Sequence, residues 1–196
     1  MHYQLIKKES LYSGFFALNK YHIKNQLFKG GWSEVYTREI FERGHAAAVL
    51  LFDSDKGRLI LIEQFRPGAM ETGNSPWLLE LVAGMIEEGE KPEDVVKRES
   101  VEESGCVIMK LKKISEYFVS PGGTTEKVWL YLGKFDSSHA SEYAGLESEN
   151  EDIKVHCVST EQAFKWLKEG KLNNAMTIIA LQWLKIELSN NQSVWS

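Results

Sequence analysis

Three glutamates lie close together in the segment KRESVEESG, beside one arginine. If this segment is helical, Glu99, Glu102 and Glu103 share one face, because residues three and four apart are neighbours on a helix. Val95 and Val96 of the preceding turn point into the same arc, so the face is not simply a solvated one. Like charges at this spacing cost roughly 0.2–0.5 kcal/mol each. The pattern therefore favours a bound cation, and Mg²⁺ and Mn²⁺ prefer carboxylate oxygens; a solvated acidic helix is the alternative.

Local signals predict where this helix begins and ends. Pro92 suits the first turn because its φ is fixed, and Glu93 and Asp94 favour the positive end of the helix. Gly105 supplies a C-terminal stop. Ser159 with Gln162 resembles a capping box that opens a second helix. A last helix is predicted from about residue 174.

Apolar runs upstream and downstream of the acidic helix predict strands. HAAAVLLF and RLILIEQF flank the turn DSDKG, as expected for two buried strands of a hairpin. ISEYFVS and KVWLYLGKF flank a Pro-Gly-Gly turn, and IKVHCVS follows an acidic loop. Strands mixed with helices in this order predict a layered α/β (α+β) domain over residues 45–196.

Residues 1–44 form a separate, strand-rich region. FFALNKYHIKNQLF and SEVYTREIFERG are separated by Lys-Gly-Gly, which is a turn signal. This predicts a small antiparallel β unit. A unit of this size cannot bury a core by itself, so we expect it to pack on the rest of the chain or on a second subunit.

Composition excludes several classes of function. The chain has 196 residues, is 43% hydrophobic and carries a net charge of −5, which argues against a nucleic-acid-binding surface. It has no apolar run long enough for a membrane span and no signal-peptide pattern at its start, so we expect a cytoplasmic protein without membrane contact. Cys106 and Cys157 are far apart, and we expect reduced thiols rather than a disulfide or zinc site.

The acidic helix belongs to a longer pattern. Gly84 is followed after five residues by Glu90, and after seven more by Arg98-Glu99-x-x-Glu102-Glu103-x-Gly105. This pattern resembles the Nudix box, the signature of hydrolases that cleave nucleoside diphosphates linked to another group. Two apolar positions depart from it, with Ser100 and Cys106 where larger aliphatic residues are usual. The resemblance implies a Nudix-fold α/β/α sandwich with a mixed sheet, behind the small N-terminal β unit.

The resemblance also implies roles. In the family, the glutamates matching Glu99 and Glu103 bind metal, and the one matching Glu102 assists catalysis. The backbone carbonyl at the position of Ala83 completes the metal site, and Arg98 orients a neighbouring carboxylate. The implied cofactor is Mg²⁺, with Mn²⁺ as a substitute.

A second acidic run, ESENED, lies in the loop before the strand IKVHCVS. By composition alone, an ordinary acidic surface loop is the favoured interpretation. One branch of the Nudix family, the bacterial ADP-ribose pyrophosphatases, places its general base and an extra metal ligand in a loop of this pattern. By that resemblance Glu149 matches the base and Glu151 the ligand.

Most of the chain is similar to the enterobacterial-type members of that branch. The similar stretches are REIFERGHAA, LIEQ-x-R, PWLLE-x-VAGMIEEGE, SPGGT-x-E, ENEDI-x-V and IALQWL. The resemblance implies hydrolysis of ADP-ribose to AMP and ribose 5-phosphate by a homodimer that exchanges its N-terminal units. The positions it places near the substrate are Phe15, Phe16, Arg38, Glu39, Arg43, Arg66, Met85, Ser120, Pro121, Gly122 and Glu126.

Some of these assignments have alternatives. Arg38 with Glu39, and Arg43 with Glu42, can be simple surface ion pairs rather than phosphate ligands. The activity can be directed at another nucleoside diphosphate sugar, or the chain can be a non-catalytic ADP-ribose sensor, although its complete set of box glutamates argues against a sensor.

Overall fold

The structure is a computed structural model, and it describes residues 1–73, 75–190 and 193–195. The chain divides into two compact units. One comprises Met1–His45 and Tyr117–Val128, and the other Ala46–Glu116 and Trp129–Ser196. The domain boundary after residue 44 stays a prediction.

The N-terminal sheet has three antiparallel strands, β1 (Tyr3–Ser13), β2 (Ala17–Asn25) and β3 (Tyr36–Glu42), in that order. The sequence analysis does not predict β1. Its residues are almost all exposed, so it lacks the buried alternation that identifies a strand. Glu42 ties the three strands together by accepting hydrogen bonds from Lys8, Asn19 and Tyr21.

The larger sheet has eight strands and follows the predicted pattern. Six of them lie in the order β10-β11-β5-β4-β9-β8. The strands are β4 (His45–Asp53), β5 (Arg58–Phe65), β6 (Trp77–Glu80), β7 (Val82–Ile86), β8 (Lys110–Phe118), β9 (Lys127–Lys134), β10 (Tyr143–Ala144) and β11 (Ile153–Ser159).

The hairpin strands β4 and β5 separate beyond their turn. They pair at Phe52 with Leu59 and at Asp53 with Arg58. Farther on, β6 pairs with β5 and β7 pairs with β4. The segment containing β6 and β7 therefore enters the sheet where the hairpin opens, which brings Glu80 and Ala83 to the part of the sheet beside the acidic helix.

Helices cover both faces of the larger sheet. They are α1 (Pro92–Ser104), α2 (Thr160–Lys168) and α3 (Ala175–Ser189). Val95 and Val96 of α1 belong to one core cluster with Ile60 and Ile62 of β5. The alternate β5 residues, such as Leu61, are equally buried, so the opposite face must also be covered.

The helices α2 and α3 form this second cover. His156 pairs with Leu61 in the sheet, and its ring contacts Trp166 of α2 with the centroids 6.4 Å apart. Leu181 and Leu184 of α3 are fully buried. The predicted α/β/α sandwich is confirmed, and α1 begins and ends where Pro92 and Gly105 predicted.

Candidate active site

The α1 carboxylates lie on one helix face, as predicted, but they differ in exposure. Glu103 is 2% exposed, whereas the side chains of Glu99 and Glu102 are 14% and 27% exposed. Gly105, at φ 70°, ends the helix in the left-handed conformation that favours glycine. The valines that share the arc of these glutamates anchor it in the core, so the acidic face is held against the protein rather than in solvent.

Arg98 is the positively charged group that lies among the carboxylates of Glu90, Glu99 and Glu102. Its Nη1 donates to Glu99 Oε1 and to Glu102 Oε2, both at 2.9 Å, and its Nε lies 3.7 Å from Glu90 Oε1. This arrangement agrees with the orienting role that the resemblance implied. Arg98 thus offsets the charge of three glutamates and leaves Glu103 without an ion-pair partner in the described part of the chain.

Glu103 is the most strongly perturbed acid of the site. Its pKa is raised to about 8, chiefly by burial and also by the nearby charges of Glu99 and Glu151. The Ala83 N–H, which donates to Glu103 Oε2 at 3.0 Å, and the charge of Arg66 act in the opposite direction. The Glu103 carboxyl is therefore protonated near neutral pH unless a cation joins it.

Glu99 shares this environment. Burial raises its pKa, Arg98 opposes the rise, and Glu102 and Glu151 add to it. Gly84 of β7 leaves the space that Glu99 occupies, because a Cβ at Gly84 would overlap the Glu99 carboxylate and lie 2.6 Å from its Cγ. A side chain at this position would therefore displace the Glu99 carboxylate from its present place.

The acidic loop reaches the same site through Glu151. A short 3-10 turn at Glu147–Glu149 leaves Glu149 exposed, while Glu151 is half-buried and acts electrostatically on Glu99 and Glu103. Gly145 fastens this loop to α1, since its N–H donates to the Glu102 carbonyl at 3.1 Å. Within the described residues, the structure thus brings one of the two predicted loop residues into electrostatic contact with the α1 glutamates.

Gly145 was missed in the sequence analysis. Its φ is +100°, and a Cβ there would lie 2.8 Å from the Glu151 carbonyl oxygen. A glycine two residues before an acidic run gives a turn signal, but the close approach to Glu151 depends on the folded loop.

These residues fit a divalent cation. Glu103 is buried and Glu99 is half-buried, and the charge of Glu99 disfavours the charged form of Glu103. A cation between the two carboxyl groups would relieve this repulsion. Among the described residues, no three His, Cys, Asp or Glu side chains already form a metal cage. Mg²⁺ is usually bound by one or two carboxylates together with water and substrate phosphates, so an incomplete protein shell agrees with it.

Arg66 and Met85 both precede the α1 glutamates in the chain. Arg66 directly follows β5, and its Nε donates to Glu80 Oε2 at 2.7 Å. Its charge affects Glu103, which shows that it is near the acidic site. Met85 is half-buried in β7, two residues after Ala83.

In the compact unit formed by Met1–His45 and Tyr117–Val128, the structure brings together four of the predicted substrate residues. Phe15 and Phe16 meet edge to face with their centroids 4.7 Å apart. The Arg43 guanidinium lies over the Phe16 ring at 5.6 Å, and its Nη1 is 3.3 Å from Glu126 Oε1. Phe15 is 85% exposed and Glu126 is buried. The cluster thus combines an exposed aromatic surface with a partly buried ion pair.

The predicted loop with Ser120, Pro121 and Gly122 borders this cluster. The carbonyl of Ser120 accepts hydrogen bonds from the N–H groups of residues 123 and 124, both at 3.0 Å. The loop is joined to β3 by the Phe41 N–H, which donates to the carbonyl of residue 123 at 2.8 Å. All three predicted loop residues are exposed.

Arg38 and Glu39 are placed apart from each other. As neighbours in β3 they point to opposite faces of the sheet. Arg38 stacks on Tyr36 at 4.9 Å and donates to the carbonyl of Thr37. Neither surface pair of the alternative interpretation occurs among the ion pairs of the described residues, and Arg43 pairs with Glu126 instead of Glu42.

Comparisons with known proteins show the family to which the chain belongs. A family model described as NUDIX domain matches residues 42–180. The ADP-ribose pyrophosphatase of Escherichia coli (strain K12) is 48% identical over 193 residues, which cover 98% of this chain and 92% of that protein. The ADP-ribose pyrophosphatase of Haemophilus influenzae is 46% identical over 195 residues, covering 98% and 90% of the two chains.

Two further comparisons extend this result. The GDP-mannose pyrophosphatase of Enterobacter sp. (strain 638) is 33% identical over 187 residues, covering 93% of this chain and 95% of that protein. A crystal structure described as an ADP compounds hydrolase superposes with a TM-score of 0.73 over 99% of this chain and 98% of that chain. At 18% identity, this structure supports the fold alone. No helix among the described residues is long and apolar enough to cross a membrane.

Proposed function

The chain belongs to the NUDIX family, and we propose that it hydrolyses the diphosphate of ADP-ribose to AMP and ribose 5-phosphate. The observation that carries this proposal is the arrangement of the buried Glu103 and the half-buried Glu99, with Glu151 acting on both. Such a site favours a bound cation, and a diphosphate is a substrate group that can supply the remaining oxygen ligands. The names of the relatives that are 46–48% identical supply the substrate.

The metal would be held by Glu99, Glu103, Glu151 and the carbonyl oxygen of Ala83. Mg²⁺ is the proposed ion, with Mn²⁺ as a substitute, because both take oxygen ligands. When bound, it neutralises charge on the diphosphate and polarises the phosphorus under attack. Arg98 holds Glu99 and Glu102 in their orientations, so that Glu102 assists as a fixed carboxylate rather than a mobile one.

Glu149 is the proposed general base. Water attacks one phosphorus of the diphosphate while the carboxylate accepts its proton, and the bond from that phosphorus to the bridging oxygen breaks. Attack at either phosphorus gives AMP and ribose 5-phosphate. Glu149 is exposed and is not among the charges that perturb Glu99 or Glu103, which suits a group that acts on water rather than on the cation.

The proposed substrate contacts follow from the chemistry of each group. Arg66 binds phosphate oxygens, because its planar guanidinium can donate to two oxygens at once. In the N-terminal unit, the exposed ring of Phe15 beside Phe16 suits the adenine. Polar contacts to the rest of the nucleotide are proposed for Arg38, Glu39, Arg43, Met85, Ser120, Pro121, Gly122 and Glu126.

We also propose that the protein acts as a homodimer. The three-stranded sheet and its connections expose large apolar side chains, among them Tyr3, Phe15 and Phe28, at 79%, 85% and 98% exposure. A sheet this small needs a partner surface to bury its apolar groups. Exchange of the N-terminal units between two copies of the chain would provide that surface.

A nucleotide-sugar panel tests the substrate. The protein is incubated with ADP-ribose, GDP-mannose and other nucleoside diphosphate sugars in Mg²⁺, and the products are measured by mass spectrometry in ¹⁸O-labelled water. We expect ADP-ribose to have the highest kcat/KM, with one labelled oxygen in AMP or in ribose 5-phosphate. Because a GDP-mannose pyrophosphatase is 33% identical over nearly the whole chain, GDP-mannose is the second candidate, and its preference would overturn the proposal.

A further inference from the structure

Arg66 is fixed through its backbone and through one side-chain nitrogen. Its N–H donates to the Pro76 carbonyl at 2.8 Å, and its carbonyl accepts from Ala69 at 2.9 Å. Its Nε donates to Glu80 Oε2 at 2.7 Å. Neither Nη1 nor Nη2 takes part in a hydrogen bond or ion pair with the described residues. The guanidinium edge formed by these two nitrogens is the edge that matches two oxygens of a phosphate.

Glu80, which holds Arg66, is almost completely buried. It is 3% exposed at the end of β6, although it is an acid. Its second oxygen, Oε1, accepts from Asn174 Nδ2 at 2.7 Å. Burial of a charge is costly unless it is paired and hydrogen-bonded. Both oxygens of Glu80 are thus engaged, one by Arg66 and the other by Asn174, which restricts the orientation of the guanidinium.

Asn174 connects this pair to the start of α3. It is the N-cap of the helix, where its Oδ1 accepts from the Thr177 N–H at 3.3 Å. The Thr177 hydroxyl in turn accepts from the Leu81 N–H at 3.2 Å. The oxygen of the Asn174 side-chain amide therefore caps α3, while its nitrogen donates a hydrogen bond to Glu80.

We propose that Glu80 is a positioning residue for substrate binding: together with Asn174 it holds Arg66 so that its Nη1–Nη2 edge receives the diphosphate. This inference rests on the proposed function for its substrate class. It assigns a binding role to a buried strand carboxylate and to a helix cap, neither of which contacts the substrate. Helix α3 thereby becomes part of the scaffold of the phosphate site.

The first test separates KM from kcat. Glu80→Gln keeps the shape of the side chain and removes its charge, so Arg66 loses a charge-assisted hydrogen bond. We expect KM for ADP-ribose to rise about tenfold, the loss expected for one hydrogen bond to a charged group, while kcat changes less than about twofold. An unchanged KM, with the variant folded by urea titration, would overturn the positioning role.

A double-mutant cycle shows whether Glu80 acts through Arg66. Arg66→Lys alone should raise KM, because lysine cannot reproduce the fork of the guanidinium. Adding Glu80→Gln to Arg66→Lys should change KM little further, because the group that Glu80 holds is already lost. Multiplication of the two single effects would mean that Glu80 acts independently, and this would overturn the proposal.

A second variant tests the link to α3 without removing the cap. Asn174→Asp keeps a capping oxygen, since aspartate is as good an N-cap as asparagine, but it replaces the donor to Glu80 with a like charge. We expect KM to rise and α3 to stay formed. Ser159→Ala, which removes the N-cap bond of α2, is the matched control and should lower stability without changing KM. Equal KM values for both variants would contradict the link.

Two readouts are independent of turnover. The Nε–Hε resonance of Arg66 should exchange slowly with water in the wild type and rapidly in Glu80→Gln, whereas the control Arg58→Lys, at the other end of β5, should leave it unchanged. ADP, which carries a diphosphate, should bind more weakly to Glu80→Gln by calorimetry. If the wild type does not hydrolyse ADP-ribose, the proposed function is wrong; the positioning role then holds if Glu80→Gln weakens ADP binding and fails if it does not.

Discussion

Glu99 fills the space that a side chain on Gly84 would occupy. The two residues lie on different elements, β7 and α1, and a Cβ on Gly84 would overlap the Glu99 carboxylate. The orientation of a candidate metal ligand is therefore set partly by an absent side chain in the neighbouring strand.

Replacing this glycine should displace the ligand. We expect Gly84→Ala to lower kcat/KM and the affinity for Mg²⁺ by about 10–100-fold, the usual effect of disturbing the support of a metal ligand. The matched control is Gly68→Ala, because a Cβ at Gly68 meets no atom within 4 Å. Steady-state kinetics over a Mg²⁺ titration measures both variants, and equal activities would show that Glu99 tolerates the displacement.

Glu103 should make stability depend on pH in the absence of metal. Burial raises its pKa from 4.5 to about 8 in the folded state, so the folded protein binds this proton more tightly than the unfolded chain. The contribution is complete below the unfolded value and is lost as pH rises towards 8. With chelator, the free energy of unfolding should therefore fall between about pH 5 and pH 8.

Two further experiments test whether Glu103 is the source of this pH dependence. Glu103→Gln should flatten the slope, whereas Glu88→Gln, an exposed glutamate in the loop before α1, should not. Mg²⁺ should restore stability at pH 8, because a ligand that binds only the folded state stabilises it. Urea titrations at each pH give the free energy of unfolding. If this free energy depended on pH in the same way in wild type and in Glu103→Gln, Glu103 would not be the cause of the pH dependence.

Substitution of Glu149 and of Glu151 in the acidic loop should impair hydrolysis in different ways. Glu149→Gln should reduce kcat by roughly 10²–10⁴, the usual contribution of a positioned general base, and leave KM nearly unchanged. Glu151→Gln should be partly rescued by higher Mg²⁺, because it loses a metal ligand.

Glu147→Gln is the control, since it removes the same charge from the same exposed 3-10 turn and should have little effect. Similar small losses in all three variants would indicate a long-range electrostatic effect of an ordinary acidic loop. A large loss only at Glu147 would mean that the base had been assigned to the wrong residue.

The oligomeric state tests the role of the N-terminal unit. Light scattering at micromolar concentration should give twice the chain mass of 22.4 kDa, because the exposed apolar side chains of the three-stranded sheet need a partner surface. A dilution series with parallel activity measurements extends the test. A monomer with full specific activity would contradict the homodimer and the exchange of N-terminal units.

The sequence predicted the elements whose signals are local. Pro92 and Gly105 mark the ends of α1 because one fixes φ and the other accepts a left-handed conformation. In contrast, β1 was not predicted, since its burial is slight and its pairing with β2 is determined by tertiary structure. Local patterns therefore identified the helix of the site but not the first strand of the chain.

The supporting residues of the site could not be predicted in this way. Glu80 and Asn174 are 94 positions apart in the chain, and neither belongs to a pattern that a short window reveals. The surroundings of Gly145 and Glu151 likewise depend on the folded loop. The sequence motifs thus identified the candidate metal and phosphate ligands. The residues that support these ligands, such as Glu80 and Asn174, become recognisable only in the folded structure.

The connection that leads from β5 to β6, where the β4–β5 hairpin opens, has a consequence for how this fold can diversify. The connection over residues 66–76 is closed at its ends by the hydrogen bond from Arg66 to Pro76. Each doubling in length of such a loop adds only about 0.6 kcal/mol of closure entropy. Insertions there can accumulate during evolution while the strands on either side keep their register. Because Arg66 is the first residue of this connection, such insertions would alter the surroundings of a proposed phosphate ligand and leave the acidic helix unchanged.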